Sequence, residues 1–168
     1  MKKIILFLIL TIFLSGCSLY SLNDFVLPDD AEFIVLIQEL DTPLKISNYM
    51  IENFTYKKNT FGVISPYQLY IRRVGDCTDF ANFAQCCANY HDYLTYQLVI
   101  FYNGFSHQIA VYSEYNCYSM TDNQYYYCCF LNFIDIVNFD SAGRNINWIS
   151  YKVYDYDMNL IEKTYNSS

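Results

Sequence analysis

The chain of 168 residues carries 17 acidic and 10 basic residues, and its formal net charge of −7 argues against nucleic-acid binding and against electrostatic adhesion to anionic lipid. Its 19 tyrosines and 13 phenylalanines supply large packing units, which exclude a disordered chain. No linker rich in Gly, Ser or Pro divides the sequence, so a single globular domain is expected.

The N-terminal residues 1–16 have the pattern of a secretory signal peptide. Lys2 and Lys3 precede an apolar run over residues 4–14, which is too short to cross a bilayer comfortably, and small residues follow it. The letters LSGC at the end of this segment resemble a bacterial lipobox. The resemblance implies that Cys17 is diacylated on its sulfur and becomes the mature N-terminus. The alternative is ordinary signal cleavage beside an unmodified cysteine.

A lipid on Cys17 predicts attachment to a membrane of the bacterial cell envelope, on its extracytoplasmic side. Residues 17–27 are then a lipidated tether, and residues 28–168 are the folded domain. Loss of the two lysines with the signal moves the formal charge of the remaining chain from −7 to −9.

The first half of the mature chain is predicted to be helical, because apolar residues recur three or four apart. The predicted helices begin near Pro28, Thr42, Ser65 and Cys77, and they extend to about residues 40, 54, 71 and 93. Strands are predicted after that, over residues 96–102, 108–112, 125–130 and 148–154, with a short helix or loop over residues 133–137. Helices followed by strands favour an α+β fold with an antiparallel sheet.

Cys77 is the cysteine best placed for chemistry. It follows Gly75 and Asp76 and opens the fourth predicted helix, where unpaired backbone N–H groups and the positive end of the helix dipole favour the thiolate over the thiol. Cys86 and Cys87 lie in the middle of the same helix without this stabilisation, and they are predicted to be packing residues.

A thiolate nucleophile needs a general base, and the chain has two histidines. His91 lies at the far end of the helix that Cys77 opens, about 20 Å away at roughly 1.5 Å per residue, and is out of reach. His107 precedes the second predicted strand, which brings it beside the helix start if that strand packs on the helix. The alternative for His107 is a strand-end residue without a catalytic task.

Asp122 is the candidate for orienting the imidazole of His107 through its other ring nitrogen. It precedes the third predicted strand and can lie beside the histidine in an antiparallel pair. Its alternative is a turn residue, because Thr-Asp-Asn is also favourable turn chemistry. The order of cysteine, histidine and aspartate on successive elements is a stronger indication than any one of the three.

Four segments resemble the transglutaminase-like superfamily, and within it the small bacterial transglutaminase-like cysteine proteinases. The segments are NFTY at 53–56, GDCTDFA at 75–81, SHQIAV at 106–111 and TDN at 121–123. The resemblance implies a papain-like core, in which the helix of the nucleophile packs on an antiparallel sheet that presents the histidine and the aspartate. It assigns Cys77 as nucleophile, His107 as base and acid, and Asp122 as the orienting residue.

These residues predict a thiol-dependent acyl-transfer enzyme, most simply a cysteine protease or amidase that acts on a protein, a peptide or a cell-wall peptide. The backbone N–H of Cys77 is expected to bind the oxyanion, and the Gln68 side chain is a further candidate donor. This chemistry needs no cofactor. The alternative function is a surface-binding lipoprotein that retains the fold without turnover.

Cys86, Cys87, Cys128 and Cys129 are predicted to be small buried residues, and one disulfide among them is an alternative. Without the lipidated and the catalytic cysteine, five are left, so a complete set of disulfides does not fit with a catalytic thiol. A zinc site from Cys87, His91, Cys128 and Cys129 is an alternative. It is disfavoured because no Cys-x-x-Cys pair occurs and because neighbours in a strand point to opposite faces, so no metal site is predicted.

Overall fold

The computed structural model describes residues 22, 25–58 and 62–167, and within these ranges the chain forms five helices and eight strands. The helices are α1 (Ala31–Glu39), α2 (Pro43–Asn53), α3 (Pro66–Arg72), α4 (Cys77–Tyr90) and α5 (Phe133–Arg144). The strands are β1 (Thr55–Tyr56), β2 (Val74–Gly75), β3 (Thr95–Tyr102), β4 (Phe105–Glu114), β5 (Cys117–Asp122), β6 (Tyr125–Phe130), β7 (Ser150–Asp155) and β8 (Leu160–Tyr165). The predicted lipid-attachment residue Cys17 lies outside the described residues.

Six of the strands form one antiparallel sheet in the order β6-β5-β4-β3-β7-β8. The two-residue strands β1 and β2 pair in parallel, and β2 leads directly into α4. Helices dominate the first half of the chain and strands the second half. The α+β class predicted from the sequence is therefore confirmed.

The sheet has a hydrophobic layer on each face. Ala110 and Tyr112 of β4 point into the layer formed with α1 to α4, while Ile109 and Val111 point into the layer that contains α5. Leu22 is buried in the first of these layers. Because both faces are covered, β4 is buried over most of its length.

Five elements differ from the sequence prediction, and two of them are the two-residue strands β1 and β2, which are not predicted. The strands β5 and β8 are not predicted, because β5 contains polar residues and β8 is a largely exposed strand at the sheet edge. The helix α5 continues well beyond the expected residues 133–137; Asn132 caps its start, and Asn145 ends it in a left-handed conformation. Asp122, expected just before a strand, is the last residue of β5.

The start of α4 is fixed by a reciprocal pair of caps. The carboxylate of Asp76, the N-cap residue, accepts the backbone N–H groups of Thr78 and Asp79 at 3.0 and 3.4 Å. The buried carboxylate of Asp79 accepts the N–H of Asp76 at 3.0 Å and that of Ile64, in the segment before α3, also at 3.0 Å. The caps therefore join the start of α4 to the segment before α3.

Gly75 makes this arrangement possible by its lack of a side chain. A Cβ atom at this position would lie 2.8 Å from Cβ of Asp79 and 2.8 Å from Cδ1 of Leu69. Both distances are well below ordinary van der Waals contact. The glycine of the GDCTDFA segment is thus required for the close approach of α3 and α4.

We expect Gly75→Ala to lower the free energy of unfolding by about 1–3 kcal/mol, because the added methyl group overpacks the start of α4. Gly143→Ala is the matched control, since a Cβ atom there meets nothing within 4 Å and alanine is favoured in a helix by up to about 1 kcal/mol. Urea unfolding followed by circular dichroism measures both variants. Unchanged stability of Gly75→Ala would contradict the close packing described above.

Candidate functional site

Cys77 is the first residue of α4 and is partly exposed. The caps engage the N–H groups of Asp76, Thr78 and Asp79, and neither cap uses the N–H of Cys77. That N–H lies at the positive end of the helix, next to the sulfur of the same residue. The helix start therefore offers a hydrogen-bond donor for a negatively charged oxygen close to the thiol.

The imidazole of His107 lies between Cys77 and Asp122. Its Nε2 atom is 2.6 Å from Oδ1 of Asp122. The side chain of Cys77 also raises the pKa of His107, which indicates that the sulfur lies near the ring. Because Nε2 faces the carboxylate, Nδ1 is the ring nitrogen left for the sulfur. His107 is only 5% exposed, so these contacts are shielded from water. The structure thus brings the three residues together, while their catalytic roles stay a prediction.

The pKa values of His107 and Asp122 are displaced in opposite directions. Burial lowers the pKa of His107, but the hydrogen bonds and charges of Asp122 and Cys77 outweigh burial and raise this pKa from 6.5 to about 9. Burial raises the pKa of Asp122, whereas the hydrogen bond and charge of His107, together with the charge of Arg144, hold it below its ordinary value of 3.8. A protonated imidazole facing an ionised carboxylate is therefore the stable pairing at neutral pH.

Asp140 in α5 is a second carboxylate near the imidazole, and the sequence prediction missed it. Its Oδ1 atom is 4.0 Å from Nε2 of His107, and its side chain is buried. The hydroxyl of Tyr102 donates to Oδ2 of Asp140 at 2.5 Å. Arg144 donates from Nε to both oxygens of Asp140 at 3.0 and 2.9 Å, and its Nη2 atom is 3.5 Å from Oδ1 of Asp122. The guanidinium thus bridges the two carboxylates.

The sequence did contain a signal for this part of the site. Asp140 and Arg144 are four residues apart, which places them on one face of a helix and allows them to form an ion pair. The signal requires that the helix starting at Phe133 continue for three turns, whereas a shorter segment is predicted from its apolar residues.

His107, Asp122 and Asp140 also form a possible metal-binding cluster, the one such group among the described residues, with ligand atoms within 4.8 Å of one another. However, Arg144 already supplies positive charge to both carboxylates, and Nε2 of His107 is engaged by Asp122. These contacts are those of an ion-pair network that satisfies its own charges.

The turn between β5 and β6 ties the strand of Asp122 to the helical layer. The side-chain amide of Gln124 donates from Nε2 to the carbonyl oxygens of Met50 and Phe54, at the C-terminal end of α2, at 2.7 and 2.6 Å. The hydroxyl of Ser47, also in α2, donates to the backbone carbonyl of Gln124. Asp122 directly precedes this turn and is therefore held in place, because both the main chain and the side chain of Gln124 are bonded to α2.

A row of three buried amide side chains crosses from α4 to β4. Gln97 of β3 donates from Nε2 to Oδ1 of Asn82 at 2.8 Å, and Gln108 of β4 donates from Nε2 to Oε1 of Gln97 at 2.8 Å. Each of the three residues is at most 1% exposed. Asn82 shares a helix with Cys77, and Gln108 follows His107 in β4. This amide row therefore connects the two elements that carry the thiol and the imidazole.

The other residues considered for chemistry have structural positions. The side-chain oxygen of Gln68 accepts the N–H of the N-cap residue of α3. Cys86 and Cys87 are buried, which confirms that they pack; burial raises the pKa of Cys86 to about 12 and that of Cys87 well above its ordinary value. His91 ends α4, and its Nε2 atom is 2.8 Å from the carbonyl oxygen of Ile37.

A cavity of about 550 Å³ lies between α5, the segment that follows it, and Asn166 after β8. Polar side chains and one tryptophan dominate its lining, among them Asn138, Asn145, Asn147, Trp148 and Asn166. None of the three predicted catalytic residues lines this cavity, so it is separate from the candidate site.

Residues 1–18 match the family model of a prokaryotic membrane lipoprotein lipid attachment site. The match includes Cys17 and confirms the predicted lipoprotein signal; it supports attachment to a membrane through a lipid and a place in the bacterial envelope. No curated protein matches the chain. In the ranges that the structure describes, no helix has both the length and the apolar character needed to cross a membrane.

We expect the stability of the protein to fall as the pH rises from 6.5 through 9. A histidine with a raised pKa stabilises the fold fully below its unfolded pKa and loses that contribution as the pH passes its folded pKa, which is about 9 for His107. The loss is at most on the order of 3 kcal/mol. Asp122 has the opposite effect at acidic pH. Its contribution to the free energy of unfolding is present above pH 3.8 and is lost as the pH falls through its lowered pKa.

The measurement is the urea midpoint as a function of pH for the wild type and for His107→Gln, which retains every other titrating side chain. The urea midpoint of the wild type should exceed that of His107→Gln at pH 6.5, and this difference should shrink as the pH rises to 9. Parallel curves for the two proteins would contradict the coupling of His107 to Asp122 and Cys77.

Proposed function

We propose that the chain is a transglutaminase-like cysteine protease or amidase, anchored by a lipid on the extracytoplasmic side of the bacterial envelope. The observation that carries the proposal is one imidazole, that of His107, held between the helix-start thiol of Cys77 and the carboxylate of Asp122. The GDCTDFA segment adds support, because its glycine and both of its aspartates build the cap that positions the thiol.

In the proposed reaction, the sulfur of Cys77 attacks the carbonyl carbon of a substrate amide, and the resulting oxyanion accepts the backbone N–H of the same residue. Protonated His107 donates its proton to the departing amine as the C–N bond breaks, which leaves a thioester on the sulfur. The neutral imidazole then removes a proton from water, whose oxygen attacks the thioester and releases the acid. Asp122 keeps the ring oriented and stabilises the imidazolium.

The contacts of Arg144 fit this cycle, because His107 must both give and take a proton. Two ionised carboxylates beside one imidazole would favour the protonated ring and oppose its action as a base. Arg144 offsets this effect by its ion pairs with Asp140 and Asp122. We propose that Arg144 and Asp140 are positioning residues that keep the basicity of the ring within a usable range.

Tyr56 is the proposed wall of the substrate site. It lies in β1, beside the strand that leads into Cys77, is about half exposed at 49%, and stacks edge-on against Phe80 of α4. Burial raises the pKa of its hydroxyl, and the charges of Cys77 and Asp76 raise it further, which indicates that the ring lies near the thiol. Hydrolysis is the expected outcome of the thioester, since water is abundant and Cys77 is partly exposed.

We expect iodoacetamide to modify Cys77 faster than any other cysteine of the full chain at neutral pH, because its sulfur lies at the start of α4 beside the imidazole of His107. His107→Ala should slow this modification by about tenfold or more, because the imidazolium that stabilises the thiolate is removed. His91→Ala is the matched control and should leave the rate unchanged. Peptide mapping by mass spectrometry identifies the labelled cysteine, and equal slow labelling of all accessible cysteines would rule out an activated nucleophile.

We expect the full chain in detergent to cleave members of a peptide library and Cys77→Ala to have no measurable turnover. Asp122→Asn should lower kcat by about 10²–10⁴-fold with a smaller change in KM, because it acts on the protonation of the ring and not on substrate binding. Liquid chromatography with mass detection measures the products. Peptide binding that is equal in wild type and Cys77→Ala, without cleavage in either, would favour the surface-binding function.

A further inference from the structure

Cys128 and Cys129 occupy a β-bulge in β6. The ladder between β5 and β6 shifts by one residue here, so that both cysteines stand opposite the single residue Ser119. Cys129 has a φ of 75°, in the left-handed region that a regular strand does not use. The bulge interrupts the alternation of side chains. The prediction that the two cysteines point to opposite faces is therefore wrong.

The two sulfur atoms lie side by side in solvent. Their separation is 3.0 Å, and both residues are exposed, which also contradicts the prediction that they are buried. β6 is an edge strand of the sheet, so no further strand covers its outer side in the described chain. Cys86 and Cys87 are buried and Cys117 is partly buried. Among the cysteines that the structure describes, Cys128 and Cys129 are thus the two fully exposed thiols, whereas Cys77 and Cys117 are only partly exposed.

We propose that Cys128 and Cys129 form a redox-active dithiol, which an external disulfide oxidises to a disulfide between the two neighbouring residues. The thiolate of one cysteine attacks a sulfur of the external disulfide, forms a mixed disulfide and releases one thiol. The second cysteine loses its proton and attacks the protein sulfur of that mixed disulfide, which releases the second thiol. The protein loses two electrons and two protons, and the external disulfide is reduced to two thiols.

The cellular location of the protein favours this chemistry. A lipid-attachment site directs a protein to the envelope, where disulfides form and persist. The bond would join residues that are already adjacent, so it closes no long loop and adds little of the entropic stabilisation of an ordinary disulfide. Its effect is chemical: it converts two exposed thiols into a reversible two-electron site. The site is independent of the proposed acyl transfer.

The test uses the full chain in detergent with the Cys77→Ala change, so that the proposed nucleophile does not exchange with the probe. The protein is reduced, the reductant is removed, and oxidised glutathione is added as the external disulfide. After quenching with acid and N-ethylmaleimide, mass spectrometry of the peptide that contains both cysteines records its state. The same treatment is applied to Cys128→Ser and Cys129→Ser, with Cys117→Ser as the control.

The peptide should lack two hydrogens and carry neither glutathione nor maleimide. Each single variant should retain glutathione on its remaining cysteine at a level about tenfold or more above that of the parent, because the intramolecular second step is lost. Cys117→Ser should behave like the parent. Two free thiols after oxidation, glutathione on the parent peptide at the level of the variants, or a bond from this peptide to Cys117 or to another molecule would each overturn the proposal.

Discussion

The local structure of the site depends on the carboxylate of Asp79. This residue is 1% exposed, and a charged group so deeply buried would be costly without hydrogen-bond donors. Its two oxygens accept the N–H groups of Asp76 and Ile64, so that one side chain both closes the cap of α4 and holds the segment before α3 against the helix. Gly75 leaves the space that this carboxylate needs. These contacts fix the start of α4 and therefore the position of the Cys77 sulfur.

The sheet positions the rest of the site independently of that cap. Side chains alternate along β4 and β5, which places His107 and Asp122 on the face that is covered by α5. Asp140 and Arg144 join them from that helix. The thiol comes from the helical layer on the other face, and it meets the imidazole near the beginning of β4. The candidate site is therefore formed where the two layers come together at the end of the sheet.

The parts of this arrangement that were predictable from sequence are those encoded locally. Proline and capping residues mark the starts of the helices, and the Gly-Asp-Cys order marks the helix that carries Cys77. His107 and Asp122 were found because each stands next to a strand or turn signal in the expected order. The α+β class followed from the separation of helical and strand periodicities along the chain.

The parts that were missed depend on contacts between distant segments. Asp140 becomes part of the site only because α5 packs on the same face as His107, and nothing within residues 133–144 indicates that face. The bulge at Cys128 depends on the register between two strands, which a one-residue shift alters without any change in the residue pattern. Nothing in the sequence distinguishes Tyr102 from other strand tyrosines, because the partner of its hydroxyl, Asp140, is distant along the chain.

The amide row adds directional hydrogen bonds to the interface between α4 and the sheet, which a purely apolar interface would lack. Contacts between apolar side chains are non-directional. The hydrogen bonds among Asn82, Gln97 and Gln108, in contrast, each require a particular donor and acceptor to meet. A shift of α4 by one turn, about 5.4 Å, would break the hydrogen bond between Asn82 and Gln97, and a buried amide that loses its partner costs roughly 1–3 kcal/mol. The hydrogen bond between Asn82 and Gln97 thus helps to fix the position of α4 on the sheet, and with it the spacing between the thiol and the imidazole.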